Sequence, residues 1–299
     1  MGTLFRVEVY AANREQAEVA VGLAWRRVHQ LDAIFSDYTP DSELMRFCHQ
    51  PAGSRVALSA DLYAILIRSG EITHSSHGAF DVTVGPLKRL WRQSRRDGAL
   101  PSTGQLASAR ALTGWEKVQL HPDQTASLAI DEMRLDLGGI AKGYAADAAL
   151  TVLRENGFDR ALVAASGDVV AGEAPPGQSG WKVGAASLSS PDAADTMVLL
   201  RHQALSTSGD TVQYANIDGV RYSHILDPQT GLGLTVRRFV NVMAPTSVTA
   251  DALATALCVA GPERVDVPIG VSFRYEERPN DEGSGATRRV LKDWPDSQD

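Results

Sequence analysis

The stretch TADALATAL carries two oxygen-bearing side chains in an otherwise apolar helix-like segment. Asp251 and Thr255 are four residues apart, and their neighbours are alanine and leucine. Residues four apart lie on one face of a helix, and burying a carboxylate is costly unless something satisfies it. A hard cation such as Mg²⁺ would do so, because it binds oxygen ligands and leaves other positions for phosphate. A helix N-terminal cap at Asp251 is the alternative interpretation.

The segment LDLGGIAKGYAAD has the pattern of an anion-binding turn. We predict a strand, then Gly138 and Gly139, then a helix that opens with Lys142. Glycines let the backbone approach a ligand closely, and free N–H groups at a helix N-terminus attract anions. Lys142 adds a positive charge beside them. The alternative is a tight strand-to-helix turn whose lysine is simply solvated.

A histidine is predicted at the end of a strand in YSHILDPQTG. His224 precedes an Asp-Pro turn, and a histidine with an unperturbed pKa near about 6.5 can accept a proton at neutral pH. The functional interpretation is a catalytic or ligand-positioning group, and the alternative is an edge histidine bonded to a backbone carbonyl. Loop aromatics at Tyr38 and Phe80, the latter beside Asp81, would suit a flat ring ligand, although such residues are more often core or turn residues.

The elements that would position these residues follow from hydrophobic periodicity. Helices are predicted over AKGYAADAALTVLRENG and TADALATALCVAG, and strands over TLFRVEVYA, RALVAASGDVVAGE and AFDVTVGPLKRLW, the last with a Gly-Pro stop. Helices do not alternate regularly with strands, which argues against a doubly wound parallel sheet. We expect an α+β fold of mostly antiparallel sheets with helices packed against them. It would form a single domain over residues 1–299, whose tail, residues 276–299, is a hairpin and a loose end.

The composition is that of a globular protein with a sizeable core. Hydrophobic residues make up 43% of the chain and charged residues 22%, and the net charge of −7 argues against nucleic-acid binding. No stretch approaches the roughly 18 apolar residues of a membrane span, and Cys48 and Cys258 are expected to be buried thiols. The N-terminus lacks the pattern of a signal peptide. We therefore expect a cytoplasmic protein, or one of the cell envelope if an export signal was removed.

Eight segments in a fixed order resemble the FAD:protein FMN transferase (ApbE) family over nearly the whole chain. They are MGT, SDYTPDSEL, GAFDVTVGPL, LDLGGIAKGYAAD, SGDVVAGE, STSGD, YSHILDPQTG and ADALATAL. Only the tail and residues 174–195 carry little of this resemblance. One departure is Ser166 in the SGD segment. The family commonly has glycine there, so we expect the serine side chain to disturb the local geometry at a position of close approach.

The resemblance implies a T-fold-like architecture and a Mg²⁺-dependent transferase. FAD would bind, a threonine or serine hydroxyl of an acceptor protein would attack the FMN-side phosphate, and AMP would leave. By position, the family's magnesium ligands correspond to Asp251, Thr255 and the backbone oxygen of Gly139. Its strand-end histidine, a candidate base or positioning group, corresponds to His224. Its FAD contacts correspond to Met1, Tyr38, Ala79, Phe80, Asp81, Asp136, Lys142 and Ile225.

Two alternatives would use the same flavin site. An FAD pyrophosphatase would release FMN and AMP with water in place of the acceptor hydroxyl. A non-catalytic flavin-binding protein would hold FAD unchanged, but it would have no need of a metal pair such as Asp251 and Thr255.

The tail segment DEGSGAT resembles the family's acceptor pattern, Asp-x-x-Ser/Thr-Gly-Ala-Ser/Thr. Thr287 ends this segment, so self-modification there, in cis or in trans, is one interpretation. The alternative is an ordinary hairpin turn, in which glycine and serine are common.

Overall fold

The computed structural model describes residues 2–190, 193–209, 214–279 and 287–295. The strands are β1 Phe5–Val9, β2 Val56–Ala57, β3 Val118–His121, β4 Thr125–Leu128, β5 Ala161–Ala165, β6 Asp168–Ala171, β7 Trp181–Ala186, β8 Ala194–Leu200, β9 Gln203–Gly209, β10 Tyr214–Ile217, β11 Val220–Ser223, β12 Arg237–Ala244, β13 Ser272–Arg278 and β14 Arg288–Lys292. The α-helices are α1 Arg14–Phe35, α2 Glu43–Cys48, α3 Ala60–Ser75, α4 Gly85–Asp97, α5 Thr103–Ala111, α6 Ala141–Glu155 and α7 Ser247–Ala260.

A seven-stranded sheet in the order β1-β5-β6-β9-β12-β13-β14 forms the centre of the fold. All of its neighbouring strands pair antiparallel. Three smaller sheets pair β10 with β11, β7 with β8, and β2 and β3 with β4. The mostly antiparallel α+β fold predicted from the sequence is confirmed.

The two faces of the central sheet carry different apolar residues because side chains alternate along each strand. On β5, Val163 and Ala165 join the main core, which also contains residues of α1, α6 and α7. Leu162 points the other way and packs in a second cluster with Trp181 and Val198 of the β7–β8 hairpin. The sheet is therefore covered by helices on one face and by a hairpin on the other.

Helices α6 and α7 approach each other closely at their N-terminal ends. Gly143 lies against the backbone of Ser247 and Val248, and a Cβ atom at position 143 would overlap the Ser247 carbonyl oxygen. One turn further along α6, Asp147 accepts hydrogen bonds from the N–H groups of Ser247 (2.8 Å) and Val248 (2.9 Å). These contacts cap α7 from a neighbouring helix and fix the relative positions of the two helix starts.

The strand predicted over AFDVTVGPLKRLW is wrong. Residues Val82–Val84 form a 3₁₀ turn, and Gly85 and Pro86 open helix α4 instead of ending a strand. Proline is well suited to the first turn of a helix, where its missing N–H is not needed. The β-branched residues of this segment favoured a strand, but the side chain of Asp81 caps the turn by accepting from Thr83 N.

The strand predicted before Gly138 is also absent. Residues 133–137 have no strand pairing, although Met133, Leu135 and Leu137 are buried individually in the main core. The N–H of Asp136 donates to the Val82 carbonyl at 2.7 Å, so this backbone is satisfied by a loop and not by a sheet.

The tail, the cysteines and the helices complete the described fold. Strands β13 and β14 pair antiparallel, and residues 280–286 between them lie outside the described part of the chain. Cys48 and Cys258 are buried and form no disulfide. None of the described helices is long and apolar enough to cross a membrane.

Candidate active site

A cavity of about 260 Å³ lies between the start of α6, the start of α4, helix α7 and the end of β11. Among the described residues, its walls contain every residue predicted for the site except Tyr38. Met1 lies outside the described residues. The predicted residues in these walls are Ala79, Phe80, Asp81, Asp136, Gly139, Lys142, His224, Ile225, Asp251 and Thr255. Side chains from segments far apart in sequence are therefore brought to one place.

Lys142 pairs directly with Asp251 across the α6–α7 contact. Its Nζ donates to both carboxylate oxygens, at 2.9 and 3.0 Å, and Asp251 Oδ2 also accepts from the N–H of Gly143 at 3.1 Å. Burial disfavours the charge on Lys142, but Asp251 and Asp168 together raise its pKa above the ordinary value. The lysine is thus held protonated inside the cavity wall.

Asp168, the first residue of β6, is a second carboxylate at this lysine. Its Oδ2 lies 2.8 Å from Lys142 Nζ, and its Oδ1 accepts from the Ser206 hydroxyl. Burial, followed by repulsion from Asp251, raises the pKa of Asp168. The cluster holds two carboxylates and one ammonium group, so with both acids ionised it carries a net charge of −1 in a buried place.

The oxygen atoms at this end of the cavity are suitable ligands for a hard divalent cation. Asp251 and Thr255 lie one turn apart on α7 and both line the cavity. A Cβ atom at Gly139 would lie 3.2 Å from Thr255 Oγ1 and 3.3 Å from the Phe80 ring, so the glycine backbone packs against the threonine hydroxyl. Carboxylate, hydroxyl and backbone carbonyl oxygens are the ligand types that Mg²⁺ and Ca²⁺ prefer, and the excess negative charge favours a cation.

Asp136 is bound by two cations from helix α4. Lys88 Nζ donates to Oδ1 at 2.7 Å, Arg92 donates to Oδ2 at 3.2 Å, and the N–H of Gly138 donates to Oδ1 at 2.9 Å. Burial opposes the charge of Asp136, but Lys88 and these donors hold its pKa below the ordinary value. Arg92 also binds Asp37 at 2.9 Å, so one network joins α4 to two loops.

Tyr38 lies in a second cavity, of about 670 Å³, whose walls share Gly138 and Lys142 with the first. The tyrosine is 76% exposed, and the Arg92 guanidinium lies 4.7 Å from the centre of its ring. A cation over one face leaves the other face for a planar ligand. The two cavities therefore meet at a glycine and a lysine.

Residues 79–81 form one wall of the first cavity and are fixed locally. The N–H of Phe80 donates to the Ser76 hydroxyl at 3.0 Å, and Asp81 Oδ1 accepts from both the N–H and the hydroxyl of Thr83, at 2.8 and 2.7 Å. Burial raises the pKa of Asp81. Asp81 is therefore a structural cap as well as a cavity residue.

His224 follows β11 directly and faces the same cavity. On either side of it, Tyr222 and Leu226 belong to a small apolar cluster with Leu87 and Trp91, whereas Ile225 packs into the main core. The indole of Trp91 donates to the Ser223 carbonyl at 3.2 Å.

The Asp-Pro turn after His224 closes on itself. The N–H of Gly231 donates to the Asp227 carbonyl at 2.8 Å, and that of Leu234 donates to the Ile225 carbonyl at 3.0 Å. The Asp227 side chain accepts from the N–H of Gln229 at 2.8 Å. The turn and the two apolar clusters together fix the backbone that carries the histidine.

Sequence reasoning missed several residues of this site. Lys88 was missed because its segment was predicted as a strand that ended at Trp91, and Arg92 lies just beyond that segment. On α4 the two residues are four apart and reach the same aspartate. Asp168 lay in the segment SGD, which was assigned no chemical role. Thr207, Ser208 and Gly209, from the segment STSGD, also line the cavity.

The serine at position 166 was expected to disturb the geometry of the SGD turn by crowding a neighbour, but the structure shows a different effect of this residue. Ser166 has φ of 57°, a left-handed conformation that favours glycine. The close approach belongs to the next residue, because a Cβ atom at Gly167 would lie 3.3 Å from the Thr207 carbonyl oxygen. The serine therefore strains the backbone and does not crowd a neighbour at the predicted contact.

Another grouping of possible ligands, formed by Asp159, Glu173 and His202, lies outside the walls of both cavities. Its acids are paired with arginines: Arg154 Nε donates to Asp159 at 2.6 Å, and Arg201 Nε lies 2.9 Å from Glu173. Because these carboxylates already have cationic partners, the grouping is a surface ion-pair network in this structure.

A model of the ApbE family matches residues 1–267 of the chain. An FAD:protein FMN transferase of Klebsiella pneumoniae is 33% identical over 278 residues, which cover 88% of this chain and 77% of the relative. An FAD:protein FMN transferase of Escherichia coli K12 is 31% identical over 276 residues, with the same coverage of 88% and 77%.

Solved structures give the same relationship. The flavin transferase ApbE from Vibrio cholerae superposes with a TM-score of 0.85 at 28% identity, covering 98% of this chain and 94% of the other. The apo form of the flavinyl transferase ApbE from Pseudomonas stutzeri superposes with a TM-score of 0.84 at 31% identity, covering 98% and 92%.

Proposed function

Because the chain belongs to the ApbE family, we propose that it is an FAD:protein FMN transferase. In this proposal FAD is the donor, and a threonine or serine hydroxyl of another protein is the acceptor. FMN becomes linked to the acceptor through a phosphoester bond, and AMP is released. The curated relatives named above carry the same activity in their names.

The observation that carries the proposal is the junction of two cavities at Gly138 and Lys142. A dinucleotide has two ring systems joined by a diphosphate. Its halves would occupy the two cavities, with the diphosphate at the shared wall. A glycine there permits close approach of the backbone. The protonated Lys142 is paired with Asp251 and Asp168, so a divalent cation at Asp251 would be needed for this end of the cavity to carry net positive charge beside phosphate oxygens.

The proposed reaction exchanges one phosphorus–oxygen bond for another. The acceptor oxygen forms a bond to the FMN phosphorus, and the bond from that phosphorus to the bridging oxygen breaks, so AMP leaves with the electron pair. His224 accepts the proton of the acceptor hydroxyl. Phosphoryl transfer asks a protein mainly for positioning and charge stabilisation, and the fixed backbone around His224 provides the positioning.

Asp251, Thr255 and the backbone oxygen of Gly139 would hold the magnesium ion. A bound divalent cation neutralises charge on the phosphate oxygens and on the leaving group. Lys142 adds a second positive charge from the protein, and the rigid contact between α6 and α7 keeps Lys142 and Asp251 in register. Asp136, neutralised by Lys88 and Arg92, lies in the same wall and is proposed to contact FAD.

The acceptor is proposed to carry the pattern Asp-x-x-Ser/Thr-Gly-Ala-Ser/Thr. Water in place of the hydroxyl would make the protein an FAD pyrophosphatase. His224 lines the cavity and is only partly buried, so both an incoming side chain and water could reach it; incubation with an acceptor protein distinguishes the two reactions.

Self-modification at Thr287 is a second candidate. It is supported by the strand pairing that connects the cavity wall on β9 to the start of β14. Gly209 in the cavity wall pairs with Phe239, which pairs with Glu276, which pairs with Arg289. The position on β14 in register with Gly209 is Arg289, three strand spacings or about 14 Å away, and Thr287 lies two residues before it, just outside β14. Residues 281–286 of the acceptor-like segment lie outside the described residues.

The Thr287 hydroxyl oxygen accepts hydrogen bonds from Arg278, at 3.1 Å from Nε and 2.8 Å from Nη2. These bonds would have to break before the hydroxyl could attack a phosphate. Intact mass after incubation with FAD and Mg²⁺ tests the idea directly. An adduct that disappears in Thr287→Ala supports it, and an unmodified wild-type chain removes it.

The main experiment incubates the protein with FAD, Mg²⁺ and an acceptor protein that bears the pattern. We expect the acceptor to gain the mass of FMN less one water, with one AMP per transfer, and we expect EDTA or Asp251→Asn to abolish the gain. Asp123→Asn, at an exposed aspartate paired with Arg55, is the matched control.

Each alternative predicts a different result of the same incubation. Free FMN and AMP with an unlabelled acceptor identify a pyrophosphatase. Recovery of intact FAD from a flavin-bound protein identifies a non-catalytic binder. Either result overturns the transferase proposal.

A further inference from the structure

Lys142 lies between two buried carboxylates that come from different elements of the fold. Its Nζ is 2.9 and 3.0 Å from the oxygens of Asp251 on α7 and 2.8 Å from Oδ2 of Asp168 on β6. Asp168 is only 1% exposed and Asp251 only 4%. One ammonium group thus pairs with two carboxylates, and one of these, Asp251, is also a proposed ligand of the divalent cation.

The two carboxylate oxygens of Asp168 have different partners. Oδ1 accepts from the hydroxyl of Ser206, the residue directly opposite it on β9. Oδ2 is buried and lies 2.8 Å from Lys142 Nζ, so the ammonium group is the compensating charge for this oxygen. A buried carboxylate that loses such a partner is costly, so Asp168 and Lys142 are expected to stay paired.

A divalent cation and Lys142 would compete for Asp251. The carboxylate of Asp251 already accepts from Lys142 through both oxygens and from Gly143 through one. A cation bound to this carboxylate takes over lone pairs that the ammonium now uses and repels its charge. Lys142 then needs another counter-ion at the same place, and Asp168 Oδ2 is within contact distance without moving.

We propose that Asp168 is a positioning residue, which holds Lys142 in the cavity wall when a divalent cation takes Asp251. This inference rests on the proposed cation site and deepens it. In the cation-free protein Lys142 bridges both acids, and in the loaded protein it is held by Asp168 alone, beside the bound phosphates. Asp168 thereby sets cation affinity through Lys142, without being a ligand itself.

The test measures Mn²⁺ binding to the full chain in the absence of FAD, by electron paramagnetic resonance of the free ion. The variants are Asp168→Asn, Lys142→Met and the double variant. We expect Asp168→Asn to weaken Mn²⁺ binding by about tenfold, the scale of a lost partner behind a metal ligand, because Lys142 then stays on Asp251. We expect Lys142→Met to bind Mn²⁺ at least as tightly as wild type, because the competitor is gone.

The decisive comparison is the effect of Asp168→Asn with and without the lysine. If Asp168 acts through Lys142, the substitution changes affinity by less than about threefold in the Lys142→Met background. An equal loss of Mn²⁺ affinity with and without Lys142 overturns the proposal, because Asp168 would then act on the cation directly, as a ligand or through its charge. An unchanged affinity for Asp168→Asn in the presence of Lys142 also overturns it.

Ser206→Ala provides a second variant if Asp168→Asn does not fold. Removing this hydroxyl frees Asp168 Oδ1, and we expect a smaller loss of Mn²⁺ affinity that likewise disappears in the Lys142→Met background. A persistent loss there counts against the proposal. Failure of wild type to bind Mn²⁺ overturns the proposed cation site together with this inference, whereas binding with equal losses overturns this inference alone.

Discussion

Gly143 of α6 packs directly on the carbonyl group of Ser247 at the start of α7, with no room for a Cβ atom between them. This contact brings Lys142, which precedes Gly143 on α6, beside Asp251, which lies one turn after Ser247 on α7. The absence of a Cβ atom at Gly143 thus allows the two helices that carry Lys142 and Asp251 to meet.

Gly143→Ala should therefore destabilise the protein. Overpacking against a backbone group costs about 1–3 kcal/mol, more than the roughly 1 kcal/mol that alanine contributes in a helix. Thermal or denaturant unfolding measures the loss. Gly104→Ala is the matched control, because Gly104 lies in α5 with open space around it and should be neutral or slightly stabilising. Equal stability changes in the two variants would contradict this account of the α6–α7 contact.

Ser166→Gly should stabilise the protein. The left-handed φ of 57° at Ser166 strains a residue that has a Cβ atom, and relief of the strain exceeds the extra entropy of glycine in the unfolded chain. We expect a gain of about 0.5–1 kcal/mol in the free energy of unfolding. Ser54→Gly is the control, since Ser54 is absent from the described residues with positive φ, and it should lose stability. A loss in both variants would show that strain at Ser166 is negligible.

Asp147→Asn should change how stability depends on pH. Burial raises the pKa of Asp147 from 3.8 to about 6, so the folded state favours the protonated carboxyl group. The stability this group contributes is fully present below a pH of about 4 and is lost as pH rises through about 6.

The stability of wild type relative to Asp147→Asn should therefore fall by about 1–3 kcal/mol between pH 4 and pH 7. Urea unfolding of both proteins across this range measures it. A difference that stays constant with pH would show that the burial of Asp147 is offset by the N–H groups of Ser247 and Val248.

His224→Gln should slow the transfer of FMN without removing FAD. Loss of a positioned general base lowers rates by about 10²–10⁴-fold, whereas the affinity for FAD, set by other walls of the cavity, should change little. Single-turnover labelling of an acceptor gives the rate, and flavin fluorescence gives the affinity. His29→Gln, on an exposed position of α1, is the control. An unchanged rate in His224→Gln would assign the proton to another acceptor.

Periodicity predicted the architecture because hydrophobic patterning acts locally, whereas most of the predicted residues that line the cavity were taken from the family resemblance. The helix carrying Asp251 and Thr255 and the strand leading to His224 are both present. Helix α4 was missed because Val82, Thr83 and Val84 favour a strand, and the cap at Asp81 is visible only in three dimensions. With α4 unrecognised, the reach of Lys88 to Asp136 could not be predicted.

Asp168 illustrates a different limit. Its role depends on burial beside Lys142 and on the register that places Ser206 opposite it, and neither is encoded in local sequence. The short segment SGD reads as a break in a strand; Ser166 and Gly167 form a turn, and Asp168 begins β6. Only the packing of this interior strand of the sheet beside α6 and α7 makes its aspartate part of a charge cluster.

The backbone on the two sides of His224 is anchored in different apolar clusters, with Tyr222 and Leu226 in the small one and Ile225 in the main core. A segment tethered at both ends has little freedom to swing outward. In the proposed transfer, the acceptor would therefore have to bring its hydroxyl to His224 on a protruding segment of chain. We expect an acceptor that carries the same hydroxyl on a flat, rigid surface to react more slowly.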